Sequence, residues 1–367
     1  MNDNGRGRFR ALLLLCFVAA LSASACSGDG PSAPPVQVAW YFPASDATWA
    51  RVSPSQAGFD SVALESALDW AAAQESFGVV VLWRGRIVAE RYTNSWVSST
   101  RYPVYSAGKT ITSALITQMV AEGRLSLDQS VTSILGAGWS RATSGESAIT
   151  VRHLLSMASG LDDSLKTVTG AGSSFYYNNP AYYQLFAVLE SVSGLSTGAL
   201  ASNRLFSRIG MTRALSFANE DTGEPGHIFL MSARDFARFG LLVLRHGRWG
   251  TDIILADSAA LTQSRRYSGT TNQSYGWLWW LNGGISYRTP GPSFLPTVSG
   301  PLIPSAPADL VAALGADDKK LYIVPSMDLV VVRLGDRAPV SGAASPAAIS
   351  TFDNALWTRL MAARILR

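Results

Sequence analysis

Charged side chains are scarce in this chain of 367 residues: they make up 15% of it, against about 25% in an average soluble domain. Cysteine occurs only twice, which excludes a disulfide framework and argues against a cysteine-rich zinc site. The three histidines, His153, His227 and His246, are too few for a multi-histidine metal centre. Hydrophobic residues make up 47%, so the chain can bury a large core. Any catalysis is therefore expected to use Ser, Lys, Tyr, Asp or Glu, with no metal and no cofactor.

The beginning of the chain has the parts of an export signal. Three arginines among the first ten residues precede an apolar run over 11–21, which is too short to span a bilayer. The small residues 23–25 match an A-x-A cleavage site, and Cys26 follows them. The segment also resembles a bacterial lipoprotein box, although alanine stands three before Cys26, where leucine is usual. We predict a signal peptide over 1–25, lipidation at Cys26 with simple export as the alternative, and a tether over 26–50.

The positive charge of the chain belongs largely to this signal. The formal net charge is +4. Without residues 1–25 the chain has 27 basic and 25 acidic side chains, a net charge of +2. A P-loop, a G-x-G-x-x-G fingerprint and a basic aromatic patch are all absent from the sequence. An acidic partner or a nucleic acid is therefore not expected, and the sequence indicates no oligomeric state.

Strand-like segments lie near both ends of the chain. Residues 78–83 and 86–92 are apolar, β-branched runs separated by two residues, which is typical of a hairpin. Residues 321–324 and 329–334 predict a second hairpin. The proline-rich stretch 289–308 predicts an irregular loop.

Helix-like sequence fills the middle of the chain, from Ser106 to about Gly247. Thr150 and Ser232 are expected to cap two of its helices. A further amphipathic helix is expected at the C-terminus, with Leu356, Leu360 and Ile365 as its packing face.

This pattern predicts an α+β fold arranged as an α/β sandwich. Both chain ends contribute to one antiparallel sheet that is flanked by helices, and an all-α lobe at about 107–280 is inserted between them. The folded domain is expected to cover 51–367.

The first candidate for chemistry is Ser106-Ala107-Gly108-Lys109, which has the form S-x-x-K at the start of a predicted helix. Residues three apart share a helix face, so the hydroxyl and the amine can meet. A helix N-terminus favours negative charge on an alkoxide or an oxyanion. The amine can act as the base only if burial or a nearby charge lowers its pKa. The alternative is that Ser106 caps a helix and Lys109 is exposed.

A rival nucleophile is Ser196, in a G-x-S-x-G pattern over 194–198. A nucleophile elbow needs a strand before the serine and a helix after it. Here an amphipathic helix precedes the pattern, so Gly194 is interpreted as a helix stop.

Tyr177 and Asn179 lie at the start of another predicted helix. A tyrosine held there can take or give a proton if an ammonium group lowers its pKa. The alternatives are that Tyr177 packs with the neighbouring tyrosines and that Asn179 is an ordinary helix N-cap.

Two other groups are interpreted as structural. The aromatic residues Tyr275, Trp277, Trp279 and Trp280 can line a cleft, but burial in the core is favoured for at least two of them. Asp317-Asp318, like Asp162-Asp163, is interpreted as part of a solvated turn rather than as a pair of catalytic acids.

Further segments accompany the two candidate motifs in a recognisable order. TVRHLLSMASGL at 150–161 lies between the motifs. After them come MSARDFARFGLLVLRHGRWG at 231–250, SYGWLWWLN at 274–282 and ALGADDKKLYIVPSMDLVVVRLG at 313–335. In this order the chain resembles the serine β-lactamase-like superfamily over roughly 55–365. The resemblance is to its class C-type branch, which includes β-lactamases, D,D-peptidases, esterases and 6-aminohexanoate-dimer hydrolases. It implies a β-lactamase/transpeptidase-like fold.

The resemblance also implies roles for single residues. Ser106 would be the acyl-forming nucleophile, and Lys109 and Tyr177 would share the roles of base and acid. Asn179 would hydrogen-bond the lysine or the substrate. Gly315 matches the glycine of the third motif, and the backbone N–H of Ala316 would complete the oxyanion hole with that of Ser106.

One position departs from the family pattern. The third motif usually begins with Lys or His, and here Ala313 stands in its place. A cation there helps to hold a substrate carboxylate, so its absence shifts the expectation from β-lactams towards esters or amides that lack this group. The S-D-N and K-T-G motifs of class A enzymes are absent.

These observations predict an exported serine hydrolase that acts through an acyl-enzyme on a small ester, amide or peptide-like substrate. It is expected on the periplasmic face of a bacterial membrane, or soluble in the periplasm or medium if Cys26 is not lipidated. Two alternatives stay open. One is a β-lactamase or D,D-peptidase, and the other is a penicillin-binding sensor or scaffold without turnover.

Overall fold

The computed structural model describes residues 38–45, 48–218, 227–255, 258–269, 272–290, 296–341 and 351–365. The expected signal peptide, Cys26 and the tether up to residue 37 lie outside the described residues and stay predictions.

The long strands lie near both ends of the chain and most of the helices lie between them, as the sequence pattern indicates. Within the described residues the α-helices are α1 (Ser61–Ala72), α2 (Lys109–Ala121), α3 (Val131–Leu135), α4 (Val151–Leu155), α5 (Asn179–Ser193), α6 (Thr197–Ala201), α7 (Ala233–Leu244), α8 (Ser258–Ser264) and α9 (Thr351–Ala362). The strands are β1 (Ser76–Trp83), β2 (Arg86–Tyr92), β3 (Tyr102–Pro103), β4 (Leu215–Ala218), β5 (His227–Met231), β6 (Arg248–Trp249), β7 (Asp252–Ile253), β8 (Trp280–Leu281), β9 (Ser286–Tyr287), β10 (Val298–Ser299), β11 (Val311–Gly315), β12 (Lys319–Val324) and β13 (Leu329–Gly335).

An antiparallel sheet with the strand order β2-β1-β13-β12-β11-β8 is the centre of the fold. Its strands come from both ends of the chain, and β1 joins the two sets because Val80 pairs with both Glu90 and Val332. Both expected hairpins are present, and the α+β fold class is confirmed. Strands β1, β12 and β13 are almost entirely buried, because helices cover both faces of the sheet.

The two faces of the sheet are covered by different helices. Neighbouring residues of a strand point to opposite faces. Leu321 faces α7, where a methyl group added to Gly240 would lie 2.7 Å from the Leu321 side chain. Tyr322 faces α9, and its ring centroid lies 5.6 Å from that of Trp357. Helix α1 packs against α9 on this second side. This arrangement is the expected α/β sandwich.

The inserted lobe is not all-α as expected. Its helices are grouped around α5, which contacts α2, α3, α4 and α6. The insertion also contains strands β4 and β5, which form a three-stranded sheet with β3 in the order β3-β5-β4, and the hairpin β6-β7. These strands have two to five residues, too few to show a clear period of two. Helix α7 lies within the expected bounds of 107–280, but it packs on the central sheet and belongs to the body.

The second half of the expected tether is part of the folded body. Trp49 is buried, and its indole Nε1 donates to the carbonyl of Gly85 at 2.7 Å. The guanidinium of Arg238, itself buried, donates to the carbonyls of Pro43 and Ala44. The aromatic residues of this stretch find partners on the body, so the described residues from Ala39 to Ala50 do not form a tether.

Three details differ from the sequence prediction or extend it. Leu356 and Leu360 are buried on α9 as expected, but Ile365 lies beyond the helix and is 40% exposed. Asp318 is buried rather than solvated, because its carboxylate accepts hydrogen bonds from Ala338 N and Ser341 Oγ. The described part of 289–308 is irregular except for β10, which pairs with β9.

In the described residues, no single helix has the length and apolar character needed to cross a membrane. One pair, 179–193 with 197–209, meets those two criteria jointly but is bent by 73°.

Candidate active site

Ser106 lies in a tight 3₁₀ turn, Tyr105–Gly108, that runs directly into α2. Tyr105 begins the turn with a left-handed backbone, φ 47°. Lys109 is the first residue of α2, and its Nζ lies 3.2 Å from Ser106 Oγ. The S-x-x-K spacing therefore brings the hydroxyl and the amine together as predicted, although the serine lies in the turn before the helix.

Lys109 is buried, with 5% of its surface exposed. Its Nζ lies 4.4 Å from the ring centroid of Tyr182 and 5.2 Å from that of Tyr177. Burial lowers the pKa of Lys109 to about 7, because the charged amine loses its hydration. The alternative of an exposed lysine in a first helical turn is wrong. At neutral pH this amine is neutral in a large fraction of the molecules, which is the condition that a serine-activating base must meet.

Tyr177 closes the other side of Ser106. Its hydroxyl hydrogen-bonds the Ser106 side chain. Its ring is stacked on Trp280, with centroids 6.1 Å apart, and meets the edge of Tyr275 at 6.2 Å. Burial raises the pKa of Tyr177 well above its usual value, and the hydrogen bond to Ser106 only partly opposes this rise. Tyr177 is therefore protonated at neutral pH and suited to donate a proton.

The loop that holds Tyr177 is fixed by the residue after it. The side chain of Asn178 donates to the carbonyls of Leu161 and Asp162 and accepts from Ala181 N, which makes Asn178 the N-cap of α5. The interpretation of Asn179 as the N-cap is therefore wrong, because Asn179 is already the first residue of the helix. Its Oδ1 is buried without a hydrogen-bond partner in the described structure. An acceptor in this state needs a donor from a ligand or from water.

The end of β11 packs on the turn that carries Ser106. A methyl group added to Gly315 would lie 2.5 Å from the carbonyl oxygen of Val104 and 3.1 Å from Ala107 N. Only glycine permits this close approach. Ala316 follows directly, so the backbone of 315–316 and that of 104–107 lie side by side. Ser106 and Lys109, Tyr177, and Gly315 are therefore brought into one neighbourhood from three separate stretches of the sequence.

The sequence model of the family described as Beta-lactamase matches residues 63–348, which is most of the chain. The chain belongs to the β-lactamase family. A comparison with curated proteins finds no match.

Solved structures share the fold of this β-lactamase-family protein at low sequence identity. A protein from Bacteroides dorei assigned as a β-lactamase has a TM-score of 0.66 and 18% identity, over 83% of this chain and 99% of its own. A protein from Bacillus anthracis assigned as a 6-aminohexanoate-dimer hydrolase has a TM-score of 0.63 and 19% identity, over 86% of each chain. A D-stereospecific amidohydrolase from Streptomyces has a TM-score of 0.54 and 20% identity, over 76% of this chain and 95% of its own.

Sequence reasoning assigned no site role to Tyr182 or Trp280. The Tyr182 ring lies closer to Lys109 Nζ than the Tyr177 ring does. The Tyr182 hydroxyl forms a hydrogen bond with Thr112 Oγ1 at 2.8 Å. Tyr182 lies five residues after Tyr177, in the first turns of α5, and this spacing could have indicated its place in the site. Tyr275, Trp277, Trp279 and Trp280 are all buried, so the core interpretation holds for the four. Tyr275 and Trp280 nevertheless support the Tyr177 ring.

A cavity lies outside this neighbourhood. A cavity of about 560 Å³ is lined by His246, Arg265 and Val311, among others, but by none of Ser106, Lys109 or Tyr177. Val311 is at the start of β11 and Gly315 at its end, so the cavity is at the far end of that strand.

In the part of the chain that the structure describes, no group of three His, Cys, Asp or Glu residues is placed to hold a metal ion. Ser196 caps α6 through its Oγ, which supports its interpretation as structural.

Proposed function

We propose that this member of the β-lactamase-fold serine hydrolases forms an acyl-enzyme on Ser106 with an ester or amide substrate. The observation that carries the proposal is the 3.2 Å contact between Ser106 Oγ and Lys109 Nζ. The pKa of that amine is lowered to about 7. A buried neutral amine beside a hydroxyl is the arrangement needed to activate serine without a histidine.

The proposed reaction has two halves. The neutral Lys109 amine takes the Ser106 proton while Oγ attacks the substrate carbonyl and forms a tetrahedral intermediate. The backbone N–H groups of Ser106 and Ala316 stabilise the resulting oxyanion. Tyr177, which is protonated, donates its proton to the leaving alkoxide or amine and recovers one from Lys109. Water then attacks the acyl-enzyme by the same route in reverse and releases the acid.

Asn179 is proposed to contact the substrate. Its Oδ1 is buried next to the Tyr177 loop and lacks a donor within the described structure. The N–H of an amide substrate can supply this donor, and an ester cannot. The names of two structural relatives agree with an amide substrate: the Bacillus anthracis protein is assigned as a 6-aminohexanoate-dimer hydrolase, and the Streptomyces protein is a D-stereospecific amidohydrolase.

The substrate is proposed to lack the carboxylate that β-lactams carry. Ala313 offers no charge at the start of the third motif, and it is 1% exposed. The two lysines on the neighbouring strand β12, Lys319 and Lys320, have no exposed surface either, so neither is proposed to contact a substrate carboxylate.

The matched pair of nitrocefin and its carboxyl methyl ester tests this proposal. We expect kcat/KM for the free acid to be no greater than that for the ester. A charge-assisted hydrogen bond contributes about 1.5–3 kcal/mol, so an enzyme that recognises the carboxylate prefers the free acid by roughly 10- to 100-fold. Such a preference would overturn the proposal in favour of a β-lactamase or D,D-peptidase. A single stoichiometric burst without turnover on any ester, amide or β-lactam would indicate the sensor.

We further propose that the mature protein is exported and carries a lipid on Cys26, at the periplasmic face of a bacterial membrane. The support is the sequence of residues 1–26. Intact mass measurement of the protein from a bacterial host is expected to show a chain that begins at Cys26 with the added mass of acyl chains. The Cys26→Ser variant is expected to lose that mass and to leave the membrane fraction. An unmodified Cys26 thiol would leave simple export as the remaining possibility.

A further inference from the structure

Lys319 lies directly opposite Gly315 in the β11–β12 pair. Opposed residues in an antiparallel pair project to the same face. The Cβ of Lys319 lies 3.2 Å from the position that a Cβ on Gly315 would occupy. Lys319 therefore lies on the side of the sheet where the end of β11 meets the Ser106 turn, and its side chain is fully buried there.

The ammonium of Lys319 has neighbours from both sides of the proposed oxyanion hole. Its Nζ lies 4.7 Å from the ring centroid of Tyr105, the residue before Ser106. It also lies 3.5 Å from Oδ2 of Asp317, the residue after Ala316. The Tyr102 ring, at 5.0 Å, forms a third side. Nζ makes no hydrogen bond within the described structure, so these contacts are what holds the charge.

Residues with left-handed backbone angles lie on both sides of the Lys319 ammonium group. Tyr105, Asp317 and Asp318 all have left-handed backbone angles, with φ of 47°, 51° and 59°. Aspartate tolerates this conformation in turns, whereas for Tyr105 it costs about 1–2 kcal/mol and is kept only where the surrounding contacts enforce it. On the β11–β12 turn, the buried Arg333 donates to the carbonyls of Asp317 and Asp318 at 3.0 and 3.1 Å. Lys319 contacts both the Tyr105 turn and the β11–β12 turn, and it adds to the direct packing of Gly315 on residues 104–107.

We propose that Lys319 is a positioning residue that holds the N–H groups of Ser106 and Ala316 in register as the two donors of the oxyanion hole. The inference rests on the proposed function. Its cation attracts the Tyr105 ring on one side and the Asp317 carboxylate on the other. It therefore links two turns that are far apart in the sequence. Lys319 does not touch the substrate. Its removal is therefore expected to weaken stabilisation of the tetrahedral intermediate without weakening substrate binding.

The test compares Lys319→Met and Asp317→Asn with the wild type in turnover of p-nitrophenyl acetate. We expect Lys319→Met to lower kcat by about 10- to 100-fold, because displaced oxyanion donors cost roughly that much, and to leave KM within a factor of two. Asp317→Asn keeps the lysine but removes its carboxylate partner, and a smaller fall in kcat is expected. The Asp317 side chain is 34% exposed, so this second variant tests the idea even if Lys319→Met fails to fold.

Glu90→Gln is the matched control. Glu90 is a mostly buried acid on the edge strand β2, far along the sheet from Lys319, and it pairs with Arg51 and Arg234 at 2.7 Å. Its loss is expected to lower Tm and to leave kcat unchanged below Tm. Equal kcat values in wild type, Lys319→Met and Asp317→Asn would overturn the proposal, and so would a rise in KM alone. If wild type shows no turnover, or if Ser106→Ala keeps it, the proposed function fails and this inference fails with it.

Discussion

The Ser106→Ala variant is expected to lose ester hydrolysis by at least ~10⁴-fold in kcat, as removal of a nucleophile does in other serine hydrolases. The reason is that Lys109 and Tyr177 can then only assist direct attack by water. The fold is expected to survive, because the Ser106 side chain is small and its described contacts are with the catalytic groups themselves. Turnover of p-nitrophenyl acetate measures the loss, and thermal unfolding confirms the fold.

Ser196→Ala is the control for that experiment, because Ser196 belongs to the rival motif. Its Oγ accepts a hydrogen bond from Ala199 N at the start of α6. Loss of such a cap costs about 1 kcal/mol, so Tm is expected to fall slightly while kcat is unchanged. A fluorophosphonate probe is expected to label wild type and Ser196→Ala, but not Ser106→Ala. Undiminished turnover in Ser106→Ala would refute the assignment of the nucleophile.

The Lys109→Met variant is expected to lower kcat/KM by about 10³-fold, within the range that general-base catalysis supplies. Methionine keeps most of the buried volume of the lysine stem but has no proton acceptor of comparable strength. In wild type, log kcat/KM is expected to rise with unit slope as pH increases and to level off above about 7, the pKa of Lys109. Activity rises with pH because only the neutral amine of Lys109 can accept the Ser106 proton. This rising limb is expected to vanish in the variant.

The same pKa shift predicts a change in stability. The pKa of Lys109 falls from 10.5 to about 7 on folding, so between these values the unfolded chain binds more protons and stability rises with pH. The wild type carries the full cost of a buried charge below pH 7. Lys109→Met removes that cost, so its Tm is expected to exceed that of wild type most clearly below pH 7. The exposed Lys166 is the matched position, and Lys166→Met is expected to change neither Tm nor the pH profile. If log kcat/KM still rises with pH in Lys109→Met, a group other than Lys109 is responsible for the rise.

The parts of the fold that sequence reasoning predicted well are those with long, regular patterns. Strands β1, β12 and β13 contain the apolar runs 78–83, 321–324 and 329–332. Thr150 and Ser232 cap their helices as the local sequence indicates. The small strands β3 to β7 were missed because two to five residues do not establish a period. Residues 39–50 were interpreted as a tether because their partners, Gly85 and Arg238, are distant in sequence.

The candidate site also has features that follow from local sequence and features that depend on packing between distant parts of the chain. The contact between Ser106 and Lys109 follows from their spacing, because it lies within one turn of chain. The exchange of roles between Asn178 and Asn179 depends on where α5 begins, which sequence alone fixes only to within a residue or two. The contacts of Lys319 with Tyr105 and Asp317 depend on the pairing of β11 with β12 and on its packing against the Ser106 turn. The amino-acid sequence contains no pattern that predicts this packing.

The pairing of β1 with β13 has a consequence for the order in which the molecule forms. The partners Val80 and Val332 are joined across the centre of the sheet, although most of the chain separates them in synthesis. Contacts of such long range make folding slow, and the β1–β2 hairpin alone is too small to be stable. The central sheet, and with it the strand that ends at Gly315, can therefore assemble only after the last fifth of the polypeptide has emerged. The central sheet of this chain is therefore incomplete until synthesis is nearly finished.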